Sequence, residues 1–126
     1  MIKRLYQVIC DRRDRPQTDS YVSTLMAAGC DLILQKIGEE STEVILAAKN
    51  LESENRTAEA SASNEPLIHE IADLTFHVMV LMAQQNIPPT AIEEELKRRF
   101  GVSGLTEKAG RQAEIFNQSF NPEAKR

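Results

Sequence analysis

The chain has 126 residues, a formal net charge of −4 and two cysteines. That length suits one domain with a modest core. The two basic stretches, Arg12–Arg15 and Lys97–Arg99, are too short for a nucleic-acid footprint. Cys10 and Cys30 have no partner cysteine pair or histidine at ligand spacing and read as thiols. No signal-like N-terminus and no uninterrupted apolar run of about 20 residues is seen, so a cytoplasmic protein is expected.

The apolar spacing predicts an all-α chain. Ile2, Leu5, Tyr6, Ile9 and Cys10 mark one face of a first helix over Met1–Asp14, which Pro16 stops. Asp19 or Ser20 caps a short second helix carrying Tyr21, Leu25 and Met26, and Gly29 ends it. Asp31 is the expected N-cap of the longest helix, running to about Leu51 with apolar residues on nearly every side. Residues 52–65 are small and polar and read as a loop or frayed end. Asn64 and Pro66 start a second long apolar helix to about Gln85, which Pro88 and Pro89 terminate. Thr90 and Glu93 make a capping box for a helix through Phe100. Beyond Gly101, a turn at Ser103-Gly104-Leu105, a last helix over Thr106–Phe116 and a mobile tail from Asn117 to Arg126 are expected. A single domain therefore covers residues 1–116. Its two long helices are more apolar than the remaining helices can cover, which points to a bundle completed by homodimerisation.

Within those long helices stand two carboxylate pairs at i, i+3 spacing, Glu40 with Glu43 and Glu70 with Asp73. Each pair projects from one helix face. In an antiparallel hairpin the pairs differ in height by only about 6 Å, so four carboxylates can meet. Their mutual repulsion calls for a cation or protons, and oxygen-only ligands favour Mg²⁺ or Mn²⁺. Such an ion keeps positions for water and substrate phosphates, which makes phosphate-anhydride chemistry the natural candidate. An isolated Glu-x-x-Glu is more often ordinary surface charge; two pairs in apolar helices shift that balance. Lys36, one turn before Glu40, can reach a phosphate or form a helical ion pair. Glu39 is either a supporting group or the partner of Lys36, and His77 either supports the acids or packs in the core. Gly38 in a helix interior suggests close approach by another helix or a ligand.

Lys36-Ile-Gly-Glu39-Glu40-Ser-Thr-Glu43 followed by Glu70-Ile-Ala-Asp73-Leu resembles the Glu-Glu-x-x-Glu and Glu-x-x-Asp signature of the all-α, MazG-like nucleotide pyrophosphohydrolases. Ser20-Tyr21, His77 and Ser103-Gly-Leu-Thr-Glu-Lys-Ala109 make the chain most similar to the phosphoribosyl-ATP pyrophosphatase family of histidine biosynthesis. The likeness covers about residues 1–111. Thr75 and Phe76 depart mildly from the family pattern, and the segment over 52–65 is longer than expected. The resemblance implies Mg²⁺-dependent hydrolysis of the small molecule phosphoribosyl-ATP to phosphoribosyl-AMP and pyrophosphate. In that reaction Glu40, Glu43, Glu70 and Asp73 would hold the metal. Glu39 or Glu43 would help remove the proton of water. Lys36 would offset phosphate charge, with Lys108 or Arg111 closing from the C-terminal segment.

Two other readings stay open. A house-cleaning hydrolase of noncanonical nucleoside triphosphates would use the same carboxylates. A helical interaction module would leave them solvated. A di-iron bundle is disfavoured, because neither Glu40 nor Glu70 has His at i+3.

Overall fold

A computed structural model describes residues 1–57, 61–100, 108 and 110–115. Among these there is no strand. The helices are α1 (Ile2–Asp14), α2 (Tyr21–Ala28), α3 (Cys30–Thr57), α4 (Glu65–Gln84) and α5 (Pro89–Arg99). The chain's contacts gather into two compact units, Met1–Pro89 and Thr90–Arg126.

Local chemistry sets most of the boundaries in the first unit. The Ser20 hydroxyl accepts from the Ser23 N–H at 3.2 Å, capping α2. Gly29, at φ 97°, ends that helix in a conformation that suits glycine. Asp31 proves to lie in the first turn of α3 rather than to cap it. The helix also continues six residues past Leu51, into the expected loop. No Gly or Pro interrupts Glu52–Thr57, and Glu52 bridges both Lys49 and Arg56 across one turn, which supports the extension.

α4 stops before its prolines. The Asn86 N–H donates to the Ala83 carbonyl at 3.2 Å and the Ile87 N–H to that of Met82 at 2.8 Å. With Asn86 at φ 56° this is a Schellman ending, with asparagine in the left-handed position. α1 grips this end: the Tyr6 hydroxyl donates to the Ile87 carbonyl at 2.8 Å, and Arg13 donates to the Ala83 carbonyl and to Asn86 Oδ1. A guanidinium at a helix C-terminus also complements the helix dipole.

The core is small. Ile9 of α1, Leu25 of α2, Ile33 of α3 and Val80 of α4 are its largest fully enclosed side chains. Truncating Ile33, which has no exposed surface, to Ala should lower stability by about 2–5 kcal/mol. The check is a lower urea midpoint at unchanged slope.

The expectation of two deeply buried helices does not hold within one chain. Leu34 and Ile45 of α3 and Ile68, Ile71 and Val78 of α4 are exposed, Ile45 to 61%. Leu34 and Ile45 fall within about 20° of each other on the helix, and Ile68, Ile71 and Val78 share a face at i, i+3, i+10. Gly38 lies on the same stripe of α3, and a Cβ built on it would meet nothing within 4 Å. Among the described residues no neighbour approaches it, contrary to the expectation. By length and composition alone α4 could cross a membrane, although no such run was expected from the sequence. It carries Glu65, Glu70 and Asp73 and packs against α3 and α1.

α5 begins at Pro89, the last residue of the first unit, one residue before the expected capping box at Thr90. Proline at the start of a helix loses no hydrogen bond. Residues 108 and 110–115 are helical, within the expected last helix. The Ser103-Gly104-Leu105 turn and the tail from Asn117 lie outside the described residues.

Candidate functional site

α3 and α4 pack as an antiparallel hairpin, and Glu43 and Glu54 of α3 line one cleft with Ser63, just before α4, and Glu70 of α4. α3 overshoots the start of α4, and Asn55 Oδ1 accepts from the Ala62 N–H as the chain doubles back. That register brings carboxylate oxygens of Glu40, Glu43 and Glu70 within 4.8 Å of one another. Asp73, the fourth expected ligand, lies three residues after Glu70 but turns its Oδ2 to His69 Nε2 at 3.4 Å.

Electrostatics at the three acids is unbalanced. Lost solvent contact, then the hydrogen bond and charge of Glu43, push the Glu70 carboxyl above its ordinary value of 4.5. Glu40 is only 8% exposed, and its Oε2 has no hydrogen-bond partner among the described residues. A buried carboxylate oxygen left unpaired is costly. A hard cation bound by oxygens would satisfy it and offset the repulsion between Glu43 and Glu70, so this donor set fits Mg²⁺ or Mn²⁺.

A proton bound at Glu70 competes with such a cation. Because the folded-state value is raised, this carboxyl favours the metal-free fold at pH below 4.5, and that contribution is lost as pH rises through the raised value. The gain in melting temperature on adding Mg²⁺ should therefore grow with pH across that window and level off above it. A gain independent of pH would contradict the linkage.

The neighbours of the acids are ordered by hydrogen bonds, partly buried around His77 and exposed around Glu39. His77, 4% exposed, faces the Asp73 carbonyl with Nδ1 at 2.8 Å. A carbonyl only accepts, so Nδ1 carries the hydrogen. Nε2 then accepts from the Tyr21 hydroxyl at 3.0 Å. The same Nδ1 lies 3.8 Å from Glu40 Oε1, so His77 both packs in the core and backs a candidate ligand. Lys36 pairs with Glu39 at 3.0 Å rather than with Glu40. Glu39 also accepts from Gln35 at 2.9 Å, and Gln35 first and then Lys36 hold its carboxyl below the ordinary value. Lys108 and Arg111 are exposed residues of the second unit.

The sequence reading gave Tyr21 no contact with the site, because nothing local links it to His77, 56 residues on. It also passed over Asn50 and Glu54, which line a cleft of about 330 Å³ together with Glu43 and Glu70. Both continue the acid face of α3, at seven and eleven residues beyond Glu43, so their spacing was a usable signal.

Residues 2–100 match the family model described as phosphoribosyl-ATP pyrophosphohydrolase. The chain belongs to that family. It is 42% identical over 111 residues to the phosphoribosyl-ATP pyrophosphatase of Geotalea daltonii, covering 88% of this chain and 94% of that protein. The phosphoribosyl-ATP pyrophosphatase of Trichlorobacter lovleyi is likewise 42% identical, with 88% and 93% covered. That of Methylococcus capsulatus is 42% identical over 113 residues, with 88% and 95% covered. All three acids of the cluster lie inside the span matched to this phosphoribosyl-ATP pyrophosphohydrolase family.

Proposed function

We propose that this chain hydrolyses phosphoribosyl-ATP to phosphoribosyl-AMP and pyrophosphate, a step of histidine biosynthesis, as a cytoplasmic Mg²⁺-dependent homodimer. The observation that carries the proposal is the meeting of Glu40, Glu43 and Glu70 in a chain of this family. Those residues, joined by Asp73, would hold the metal, which when bound neutralises phosphate charge and acidifies water. Water adds to one of the two phosphorus atoms of the scissile anhydride, the bond from that phosphorus to the bridging oxygen breaks, and the proton of the water passes to a carboxylate. Glu39 and Glu43 are the two candidates for that proton. Lys36 offsets charge on the leaving phosphates once its pair with Glu39 opens. Lys108 and Arg111 are further candidates to bind phosphate.

The dimer is supported by the exposed apolar stripe of Leu34, Gly38 and Ile45 on α3 and the Ile68, Ile71 and Val78 face of α4. On α3 that stripe lies about 140–180° around the helix from Glu43, so a partner seated there leaves the acids accessible. Incubation with phosphoribosyl-ATP and Mg²⁺ should release one pyrophosphate per phosphoribosyl-AMP, and a chelator should stop it. Turnover of ordinary nucleoside triphosphates without release from phosphoribosyl-ATP would favour the house-cleaning reaction instead.

A further inference from the structure

We propose that Tyr21 is a positioning residue for the acid cluster: through His77 it orients Glu40, so that one oxygen of that carboxylate is held and the other is left for the cation. The inference rests on the metal-dependent function proposed above and adds a residue of α2 to it.

The connection runs through one buried imidazole. The Tyr21 hydroxyl donates to His77 Nε2 at 3.0 Å, and Nδ1 donates to the Asp73 carbonyl at 2.8 Å. That same Nδ1 lies 3.8 Å from Glu40 Oε1. A neutral imidazole has one N–H, so a donor at Nε2 leaves the hydrogen on Nδ1. The ring then turns its positive edge to both oxygens. With the hydrogen on Nε2 instead, a lone pair would face the Asp73 carbonyl and Glu40 and repel them. Tyr21 therefore selects the tautomer that Glu40 requires.

Packing holds the relay in place. Ser20 caps α2 immediately before Tyr21, and the Tyr21 ring stacks on Phe76, with centroids 6.1 Å apart and planes at 20°. Both rings meet His77 edge to face, at 5.8 and 5.2 Å. Turning the imidazole over would put carbon at both polar contacts, so its two hydrogen bonds fix its orientation. Glu40 Oε2 is enclosed and has no partner among the described residues. With Oε1 beside His77, Oε2 is the oxygen available to an ion shared with Glu43 and Glu70. Tyr21 is 48% exposed, so losing its hydroxyl removes one hydrogen bond and little of the core.

Tyr21→Phe deletes that hydroxyl and keeps the ring. The chain has two histidines, and the imidazole signals that remain in His69→Asn belong to His77. Long-range ¹H–¹⁵N spectra should show His77 protonated at Nδ1 in the wild type and its hydrogen moved to Nε2 in Tyr21→Phe. The Mg²⁺ concentration giving half of the full rise in melting temperature should increase roughly tenfold in Tyr21→Phe. With phosphoribosyl-ATP at limiting Mg²⁺, kcat should fall while KM stays at the wild-type value. His77→Asn keeps an N–H near the position of Nδ1 but no acceptor for Tyr21, so adding Tyr21→Phe to it should change the Mg²⁺ response no further. Where His77→Asn does not fold, the spectra and the Mg²⁺ response of Tyr21→Phe alone decide. A bond that only ties α2 to α4 would lower the melting temperature equally at every Mg²⁺ concentration. That result overturns the proposal, as does Nε2–H in the wild type or a wild type without Mg²⁺ response. If the wild type responds to Mg²⁺ but releases no pyrophosphate from phosphoribosyl-ATP, the functional reading fails on its own, and the spectra and the Mg²⁺ response still decide the role of Tyr21.

Discussion

Glu43→Gln should leave a helical protein whose Mg²⁺-dependent pyrophosphate release falls roughly hundredfold or more. Glu43 is exposed in the middle of α3, and glutamine has nearly the helix propensity of glutamate, so the substitution costs the fold little. What it removes is one negative charge from three carboxylates within 4.8 Å. That loss has two opposite signs. Without metal, Glu70 loses the hydrogen bond and charge of Glu43 while Glu40 and Asp73 remain, so its pKa should move part of the way back toward 4.5 and the melting temperature at neutral pH should equal or exceed that of the wild type. With metal, the gain in melting temperature should largely vanish, because the amide keeps the shape but not the charge that a hard cation selects. Wild-type turnover with a wild-type Mg²⁺ response would remove the carboxylates from the proposed chemistry.

Ile45→Asp combined with Ile71→Asp should convert a dimer into a monomer. The chain mass is 14.1 kDa, so sedimentation should report twice that for the wild type and 14.1 kDa for the variant. One substitution falls on each helix of the hairpin, both on the face left open by the single chain. Burying an Ile contributes about 1.5–3 kcal/mol, and a buried unpaired carboxylate adds a penalty. Neither residue belongs to the core or to the acid cluster, so the hairpin itself should persist and far-UV helicity should be retained. A wild-type mass of 14.1 kDa at micromolar concentration would refute the dimer.

The helices and the acid cluster were legible in the sequence for the same reason: both depend on periodicity along a helix. The i, i+3 spacing of Glu40 with Glu43 and the register of one hairpin sufficed to bring Glu70 to them. Three features escaped this logic. The C-terminal extension of α3 rests on Glu52 bridging Lys49 and Arg56, side-chain pairs that a polar, small-residue composition conceals. The turn of Asp73 toward His69 is a rotamer choice among competing partners, which spacing does not fix. The Tyr21–His77 hydrogen bond joins α2 to α4 through tertiary packing. Gly38 was expected to mark close approach by another helix or a ligand, and among the described residues no neighbour lies within 4 Å of a Cβ built there.

The grip of Tyr6 and Arg13 closes one end of the hairpin, and the chain itself closes the other. At the first end Ala83, Asn86 and Ile87 are held by α1, close in sequence to the core residue Val80. At the second, the chain passes from Thr57 to Glu65, and Asn55 Oδ1 accepts from the Ala62 N–H. Glu70, ten residues before Val80, stands between these two fastenings. Like charges are thus kept at close range by anchors that lie outside the acid cluster.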